Sequence, residues 1–327
     1  MPSFTASPNV LFDTRVCAVR RLSPGFVRLT LTGPHLGHFG PYGLDQRVKI
    51  LVPDGPVPDV FDAGVGGGSG SSGESGGGPP TEAEWRARWR SLPVGERPLL
   101  RSYTVAGVRP ADREVDIDFY LHSRPGPASA LAASAIGGER VLLSGPDVRR
   151  GRPSHGIQWR PGPAQRVLLA GDEAAFPAIR NILAALEPSV RADVIVEAAD
   201  RADAAVVAEG EGARLGTAAE PTVVLRTPDS GHGGPLADAV ADWAREHAPG
   251  AAALGSGFYA WTAAESTRVA RMRDLLRGAG IAPDRVHAQG YWNARGRTGE
   301  RRDAAGAAGP GAVDSGTPRP VGSGSGA

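Results

Sequence analysis

Residues 101–104 of the chain, RSYT, bring a cation, an aromatic ring and two hydroxyl groups together just after an apolar pair of leucines. In a β-strand, Arg101 and Tyr103 would share one face, and Ser102 and Thr104 the other. A guanidinium binds phosphate through two parallel bonds, a tyrosine ring covers a flat ligand, and a hydroxyl group bonds to a ring nitrogen. The stretch therefore predicts a flavin-binding strand, although an ordinary half-buried surface strand explains four residues equally well.

A strand that runs into a helix follows shortly afterwards, in residues 114–132. His122 ends the strand, and Gly126 and Pro127 precede an alanine-rich helix that begins around Ala128 and Ser129. The first N–H groups of a helix lack internal partners and attract anions such as pyrophosphate. An anion site this soon after RSYT favours a bound dinucleotide, while a capping role for the serine and an ordinary role for the histidine stay open.

Acidic and aromatic residues mark strand-to-helix junctions in the second half of the chain. Asp172 and Glu173 follow the apolar strand RVLLAG at the start of a helix, where the helix dipole alone would favour acids. Trp261 and Glu265 lie around a second such junction, and Tyr291 and Trp292 are expected after the last strand. Ligands bind at such strand ends in an open α/β sheet, although paired aromatic residues more often belong to a core. The first of these junctions has neither a GxGxxG sequence nor a P-loop lysine.

Composition excludes several classes of protein. The 327 residues suffice for two domains, and a formal net charge of +1 gives no field that would attract nucleic acid or an anionic membrane. The single Cys17 cannot form an intramolecular disulfide or a cysteine-rich metal site, and the 7 histidines are scattered, so we expect no protein-bound metal. No apolar stretch reaches about 18 residues, so we expect a cytoplasmic protein without membrane insertion.

Apolar patterning divides the chain into two halves. Before residue 150, six short alternating stretches predict an antiparallel sheet or barrel. They are VCAVRRL, FVRLTLTG, RVKILVP, LLRSYTV, EVDIDFYLH and RVLLSGP. One helix is predicted among them, at GPASALAAS. After residue 160, the continuous apolar strands RVLLAGDE, ADVIVEA, TVVLRT and GFYAWTA alternate with helix candidates at PAIRNILAAL, 235–247 and 264–278. This alternation predicts a doubly wound parallel sheet with helices on both faces.

The predicted organisation is therefore a β-barrel domain over residues 1–150 and an α/β domain over 151–298. Residues 62–80, which are almost all small or turn-forming, predict a flexible surface loop inside the first domain. Residues 299–327 have a similar composition and predict a disordered tail.

The order and spacing of eight segments resemble the siderophore-interacting protein family, whose members are FAD-containing ferric-siderophore reductases related to the ferredoxin–NADP reductase superfamily. The resemblance covers roughly residues 10–297 and rests on DQRVKILVP, RSYTV, DIDFYLH, GPASALA, LLSGP, LLAGDEAAFPAI, YAWTAAE and GYW. It implies a barrel that binds FAD, followed by an α/β domain that binds NADPH or NADH.

The resemblance also implies roles for individual residues. Contacts to FAD would come from Arg101, Ser102, Tyr103, Thr104, His122, Ala128, Ser129, Asp172 and Glu173, with the arginine toward the phosphates and the threonine near the flavin ring. The nicotinamide side would be formed by Trp261, Glu265, Tyr291 and Trp292. The ferric siderophore would meet Lys49, which is the only lysine of the chain, and Arg295.

Four positions depart from the family pattern. Ala174 and Leu131 replace a threonine and a tryptophan, Ala264 replaces a glycine, and Asn293 replaces an arginine. Loss of the glycine restricts how closely a cofactor phosphate approaches the backbone.

From the resemblance as a whole we expect a monomeric FAD-dependent reductase that converts Fe(III) to Fe(II) with no catalytic acid or base. The alternatives are a flavin reductase fed by ferredoxin, a non-catalytic flavin- or siderophore-binding module, and a flavin-free remnant.

Overall fold

The computed structural model describes residues 7–53, 55–62, 78–123, 125–151, 155–208, 220–227, 230 and 233–294. Most of the predicted loop at 62–80, the predicted tail at 299–327 and Arg295 lie outside these residues. The barrel and the α/β sheet belong to one compact unit that ends at Trp292.

The first half of the chain forms a closed antiparallel barrel in the strand order β1-β2-β5-β4-β3-β6. Its strands are β1 Asn9–Arg21, β2 Phe26–Thr32, β3 Arg47–Val52, β4 Leu99–Arg109, β5 Glu114–Tyr120 and β6 Arg140–Pro146. Each of the six predicted stretches is one of these strands, because alternating apolar side chains fill the barrel interior. The prediction of an antiparallel barrel is confirmed.

Two helices accompany the barrel, and only one was predicted. Helix α2 (Pro127–Ser134) lies where the alanine-rich run indicates, and Ala128 and Ala132 are buried in the barrel core. Helix α1 (Glu82–Ser91) was missed. Its start carries a capping box between Thr81 and Glu84, which the sequence T-x-x-E could have revealed.

The second half forms a five-stranded parallel sheet in the order β11-β10-β7-β8-β9. Its strands are β7 Arg166–Gly171, β8 Arg191–Ala198, β9 Thr222–Leu225, β10 Phe258–Glu265 and β11 Val286–Trp292. Helices α3 (Phe176–Ala185) and α4 (Arg201–Ala208) pack on one face, and α5 (Gly234–Ala253) and α6 (Ser266–Gly278) on the other. Short 3-10 turns span Leu36–His38, Asp59–Phe61, Val94–Glu96, Val148–Arg150, Glu173–Ala175, Gly255–Gly257 and Pro283–Arg285.

The doubly wound architecture is confirmed, with four local differences from the sequence-based expectation. Strand β9 is a half-exposed edge strand rather than a buried one, since only β8 pairs with it among the described residues. Tyr291 and Trp292 lie inside the last strand rather than after it. Helix α4 was not predicted, and α5 runs six residues past the expected end at 247.

Helix α3 fixes the sheet against the barrel. The buried Arg180 donates to a carboxylate oxygen of Asp118 on β5 at 2.9 Å. The Asn181 amide donates to the backbone carbonyls of Leu44 at 3.1 Å and Val105 at 2.7 Å. These bonds determine how the carboxyl ends of the parallel strands approach the RSYT segment of β4.

Candidate functional site

One edge of strand β4 is unpaired over part of its length. Leu99–Thr104 pair with β3, but β4 pairs with β5 only from Val105 to Arg109, with a bulge at Ala106 inside that stretch. Within the described residues, the 99–104 edge that faces β5 therefore has no ladder partner. The ring of Tyr103 bridges the gap to Phe119 with a centroid separation of 4.5 Å. We call the space along this unpaired edge the groove, since an extended ligand can lie there.

Arg101 and Tyr103 lie on the groove side of β4. Arg101 is exposed, and its guanidinium donates to the backbone carbonyl of Leu100 at 3.1 Å. No carboxylate in the described part of the chain pairs with it, which leaves its charge for an anion. Burial raises the pKa of Tyr103 well above its ordinary value, so this phenol stays neutral.

Two buried hydroxyl groups meet where β4 approaches the parallel sheet. The Thr104 hydroxyl lies close enough to that of Tyr291 to interact with it, but neither group makes a hydrogen bond of good geometry with a described residue. Buried hydroxyl groups in proteins almost always have partners, so this pair indicates a place for the polar atoms of a ligand. Ser102 lies on the same face of β4 as Thr104, opposite to Arg101 and Tyr103, and accepts a hydrogen bond from Lys49 at 2.7 Å.

The segment after β5 carries the second predicted group of residues. His122 is exposed and its ring packs edge-on against Tyr120 at 4.9 Å. Helix α2 starts after Gly126 without a side-chain cap. The alternative that Ser129 caps this helix is wrong, because its hydroxyl donates to the Tyr120 carbonyl at 2.9 Å. The backbone N–H groups of this uncapped first turn can donate hydrogen bonds to the phosphates of a ligand in the groove.

Asp172 and Trp292 come together at the carboxyl end of β7. The carboxylate accepts from the indole Nε1 of Trp292 at 2.7 Å and from the backbone N–H of Ala174 at 3.1 Å. Burial raises the pKa of Asp172 from 3.8 to about 7, against the lowering effect of the indole hydrogen bond. This carboxyl group therefore titrates near neutral pH, next to the end of β11.

Glu173 belongs to a buried ionic network rather than to the groove. Its carboxylate pairs with Arg226 at 2.6 Å and accepts from the backbone N–H of Ala199 at 2.9 Å. Arg226 also pairs with Glu197 at 2.9 Å. Because both acids and the arginine are almost fully buried, the network stabilises the sheet, and a contact of Glu173 with FAD stays a prediction.

Trp261 and Glu265 have structural partners as well. Trp261 is fully buried, donates to Asp45 at 3.3 Å, and meets Tyr291 edge-on with ring centroids 6.1 Å apart. Glu265 caps helix α6, since its carboxylate accepts from the backbone N–H groups of Thr267 at 2.8 Å and Arg268 at 3.2 Å. These structural contacts do not test the predicted contacts of the two residues with the nicotinamide, which stay predictions.

A polar cleft of about 200 Å³ surrounds Lys49 on the outer face of the barrel. It is lined by Asn9, Arg47, Val48, Lys49, Glu82, Arg86, Ser102, Ser144 and Gly156. Ser144 is buried, and its hydroxyl has no described hydrogen-bond partner. Sequence reasoning missed Arg47, although it stands two residues before Lys49 and so shares its strand face.

Two findings concern the rest of the described chain. Among these residues, no helix combines the length and the apolar character needed to cross a bilayer. The same residues contain no group of three or more histidine, cysteine, aspartate or glutamate side chains that could hold a metal ion.

Comparisons with known proteins agree with the barrel and the sheet as a FAD-binding domain followed by an α/β domain. Residues 15–150 match the siderophore-interacting FAD-binding domain, and residues 164–295 match the siderophore-interacting protein domain. The ferric vibriobactin reductase ViuB of Vibrio cholerae is 31% identical over 208 residues, which cover 62% of this chain and 68% of that protein. The chain belongs to the siderophore-interacting protein family.

Other relatives extend the comparison. The NADPH-dependent ferric-chelate reductase of Escherichia coli is 27% identical over 288 residues, which cover 86% of this chain and 93% of that protein. The siderophore-interacting protein SipS from Aeromonas hydrophila shares the fold with a TM-score of 0.57 at 22% identity, over 91% of this chain and 96% of that one. The match to relatives from Mycobacterium tuberculosis and Mycobacterium bovis spans 56% of their length.

The cofactor of this family is FAD, and the residues of the groove fit it. The unpaired edge of β4 leaves room for an extended ligand, the exposed Arg101 can pair with a phosphate, and the uncapped start of α2 offers backbone N–H groups to an anion. The buried Thr104 hydroxyl beside Tyr291 provides a further hydrogen-bonding group.

Proposed function

We propose that this protein is a FAD-dependent reductase that takes electrons from NADPH or NADH and reduces the Fe(III) of a siderophore to Fe(II) in the cytoplasm. One observation carries the proposal: adjacent residues of β4 face two different sites. Arg101 and Tyr103 would face the cofactor from one side of the strand, and Ser102 faces the polar cleft on the other side through its bond to Lys49. Cofactor and substrate would thus be separated by a single strand.

The chemistry follows from the partners. Bound FAD accepts a hydride and passes on single electrons, which a nicotinamide alone does not do. Hard anionic oxygen ligands hold Fe(III) much better than Fe(II), so reduction would release the metal while leaving the siderophore intact. The similarity to the ferric vibriobactin reductase of Vibrio cholerae and to the NADPH-dependent ferric-chelate reductase of Escherichia coli supports the proposal.

The residues of the chain would bind and orient rather than transfer protons. Arg101 would neutralise a phosphate, and the Thr104 hydroxyl would bond to the flavin ring. Lys49 and Arg47 would attract the anionic oxygens of the ferric chelate. No step in this scheme needs a general acid or base from the chain.

One feature favours a second donor, a reduced ferredoxin. At the carboxyl edge of the sheet, three helical starts are occupied by acids of the chain itself. Asp172 bonds to the N–H of Ala174, Glu265 to those of Thr267 and Arg268, and Glu197 to those of Gly233 and Leu236. Helix starts at this edge bind phosphate in dinucleotide-binding folds, and a carboxylate there repels it.

Anaerobic assays of the FAD-loaded protein separate these possibilities. NADPH, NADH and reduced ferredoxin are each mixed with the protein, and flavin bleaching is followed; a ferric siderophore and an Fe(II) trap are then added. We expect Lys49→Ala to slow Fe(II) formation about tenfold while flavin bleaching stays unchanged, with Arg20→Ala on the exposed part of β1 as a control. A yellow protein that yields no Fe(II) with any donor would support a non-catalytic binding module. A colourless purified protein would support a flavin-free remnant.

A further inference from the structure

Helix α1 forms one rim of the cleft around Lys49. Two of its side chains line the cleft and pair with each other, Arg86 to Glu82 at 2.8 Å. Glu82 also accepts hydrogen bonds from the Ser7 hydroxyl and, at 3.2 Å, from the Asn9 amide. The rim therefore presents a cation whose charge is balanced by a carboxylate held in place by three partners.

The helix is firmly attached to the barrel, so the position of this pair is fixed. Trp85 is fully buried in the apolar cluster on the outer barrel face, together with Leu11 and Leu51. The capping box at Thr81 defines the start of the helix, and the N–H of Leu11 donates to the carbonyl of Pro80 at 2.8 Å. A rim built in this way can discriminate between ligands, because it does not move away from an unfavourable one.

The cleft has a defined charge. The lining residues that the structure describes include three cations, Arg47, Lys49 and Arg86, and one anion, Glu82, so that these four side chains sum to plus two. Burial alone would raise the pKa of Glu82, but hydrogen bonds from Ser7 and Arg86 hold it below its usual value, so the carboxylate stays ionised at neutral pH. The buried, unpartnered hydroxyl of Ser144 adds a neutral hydrogen-bonding group to the lining.

We infer that α1 sets the charge of the ferric chelate that this protein accepts: Arg86 contacts the chelate, and Glu82 disfavours the most negatively charged ones. The inference rests on the proposed function, and it names the substrate class as ferric chelates less negatively charged than a triply anionic complex. Three catecholate dianions around a trivalent metal give a triply anionic complex, whereas three hydroxamates give a neutral one. The two complexes therefore probe the charge preference of the cleft.

Binding of redox-inert gallium complexes tests the inference without requiring electron transfer. The affinities of the FAD-loaded protein for gallium tris-catecholate and gallium tris-hydroxamate are measured by titration calorimetry. We expect Glu82→Gln to tighten tris-catecholate binding about tenfold and Arg86→Gln to weaken it about tenfold, since each removes one charge beside a triply anionic ligand. Both variants should bind the neutral complex within about twofold of the wild type.

The control is Arg88→Gln, which removes a cation from the same helix but outside the cleft lining. It should leave both affinities unchanged. Equal shifts for the two complexes, or no shift in either variant, would overturn the inference, and Arg86→Gln decides the question alone if Glu82→Gln does not fold.

Lys49→Ala keeps the two proposals separable. If Lys49→Ala weakens binding while the α1 variants do not change the preference, the inference about α1 fails and the proposed substrate site stands. If Lys49→Ala binds both complexes like the wild type, the proposed substrate site itself fails.

Discussion

Replacement of Asp172 by asparagine should change how the stability of the protein depends on pH. The carboxyl group is buried between the indole N–H of Trp292 and the backbone N–H of Ala174. Asparagine has the same size but cannot ionise, and its single carboxamide oxygen can keep only one of these two hydrogen bonds. The substitution therefore removes the titration at a cost in stability that does not depend on pH.

The sign and size of the effect follow from the pKa of this group. Because burial raises the pKa of Asp172 from 3.8 to about 7, the folded protein binds more protons than the unfolded chain between these values. The wild-type protein therefore loses stability as the pH rises through this window, by about 4 kcal/mol in total. Roughly 3 kcal/mol of this loss falls between about pH 5 and about pH 8.

Chemical denaturation of the FAD-loaded protein, followed by tryptophan fluorescence at both pH values, measures this dependence. We expect the free energy of unfolding of Asp172→Asn, relative to the wild type, to rise by roughly 3 kcal/mol from about pH 5 to about pH 8. Asp112→Asn, in an exposed turn, serves as a control and should follow the wild type. An unchanged pH dependence in Asp172→Asn would refute the claim that this carboxyl group titrates in the folded state.

Three further substitutions test other parts of the structure. Trp85→Ala, which empties the fully buried anchor of α1, should lower the free energy of unfolding by about 3–5 kcal/mol, and a loss under about 1 kcal/mol in denaturation would contradict this packing. Arg226→Met leaves Glu173 and Glu197 without their cation and should cost about 3–5 kcal/mol, more at alkaline than at acidic pH; equal losses at both pH values would count against the network. Thr104→Val should leave the flavin-free protein as stable or up to about 1 kcal/mol more stable while weakening FAD binding, as measured by denaturation and flavin release, and unaltered flavin affinity would exclude a hydroxyl contact.

The fold was predictable where the pattern is local. Along each of the six barrel strands, side chains alternate between the apolar barrel interior and the outer barrel face. The strands of the parallel sheet have continuous apolar runs instead. Helix α1 escaped prediction because its arginine-rich sequence has little amphipathic contrast and one tryptophan holds it to the barrel. Only the capping box at its start was readable from the residues themselves.

The site was predictable only in part, because partners distant in sequence determine where a side chain points. Strand alternation alone puts Arg101 and Tyr103 on one face of β4 and Ser102 and Thr104 on the other. No residue near Glu173 in the sequence indicates its partner Arg226, which lies 53 positions later and forms a buried ion pair with it. Likewise, Asp45 meets Trp261 across 216 positions, which no local motif shows.

The open edge of β4 has a consequence for the protein before it acquires its cofactor. An unpaired strand edge offers a row of N–H and C=O groups to any other extended chain, and edge-to-edge pairing of this kind leads to aggregation. FAD, by lying along residues 99–104, would cover that template much as an extra strand does. Flavin supply during synthesis would then govern the soluble yield of this protein as well as its colour.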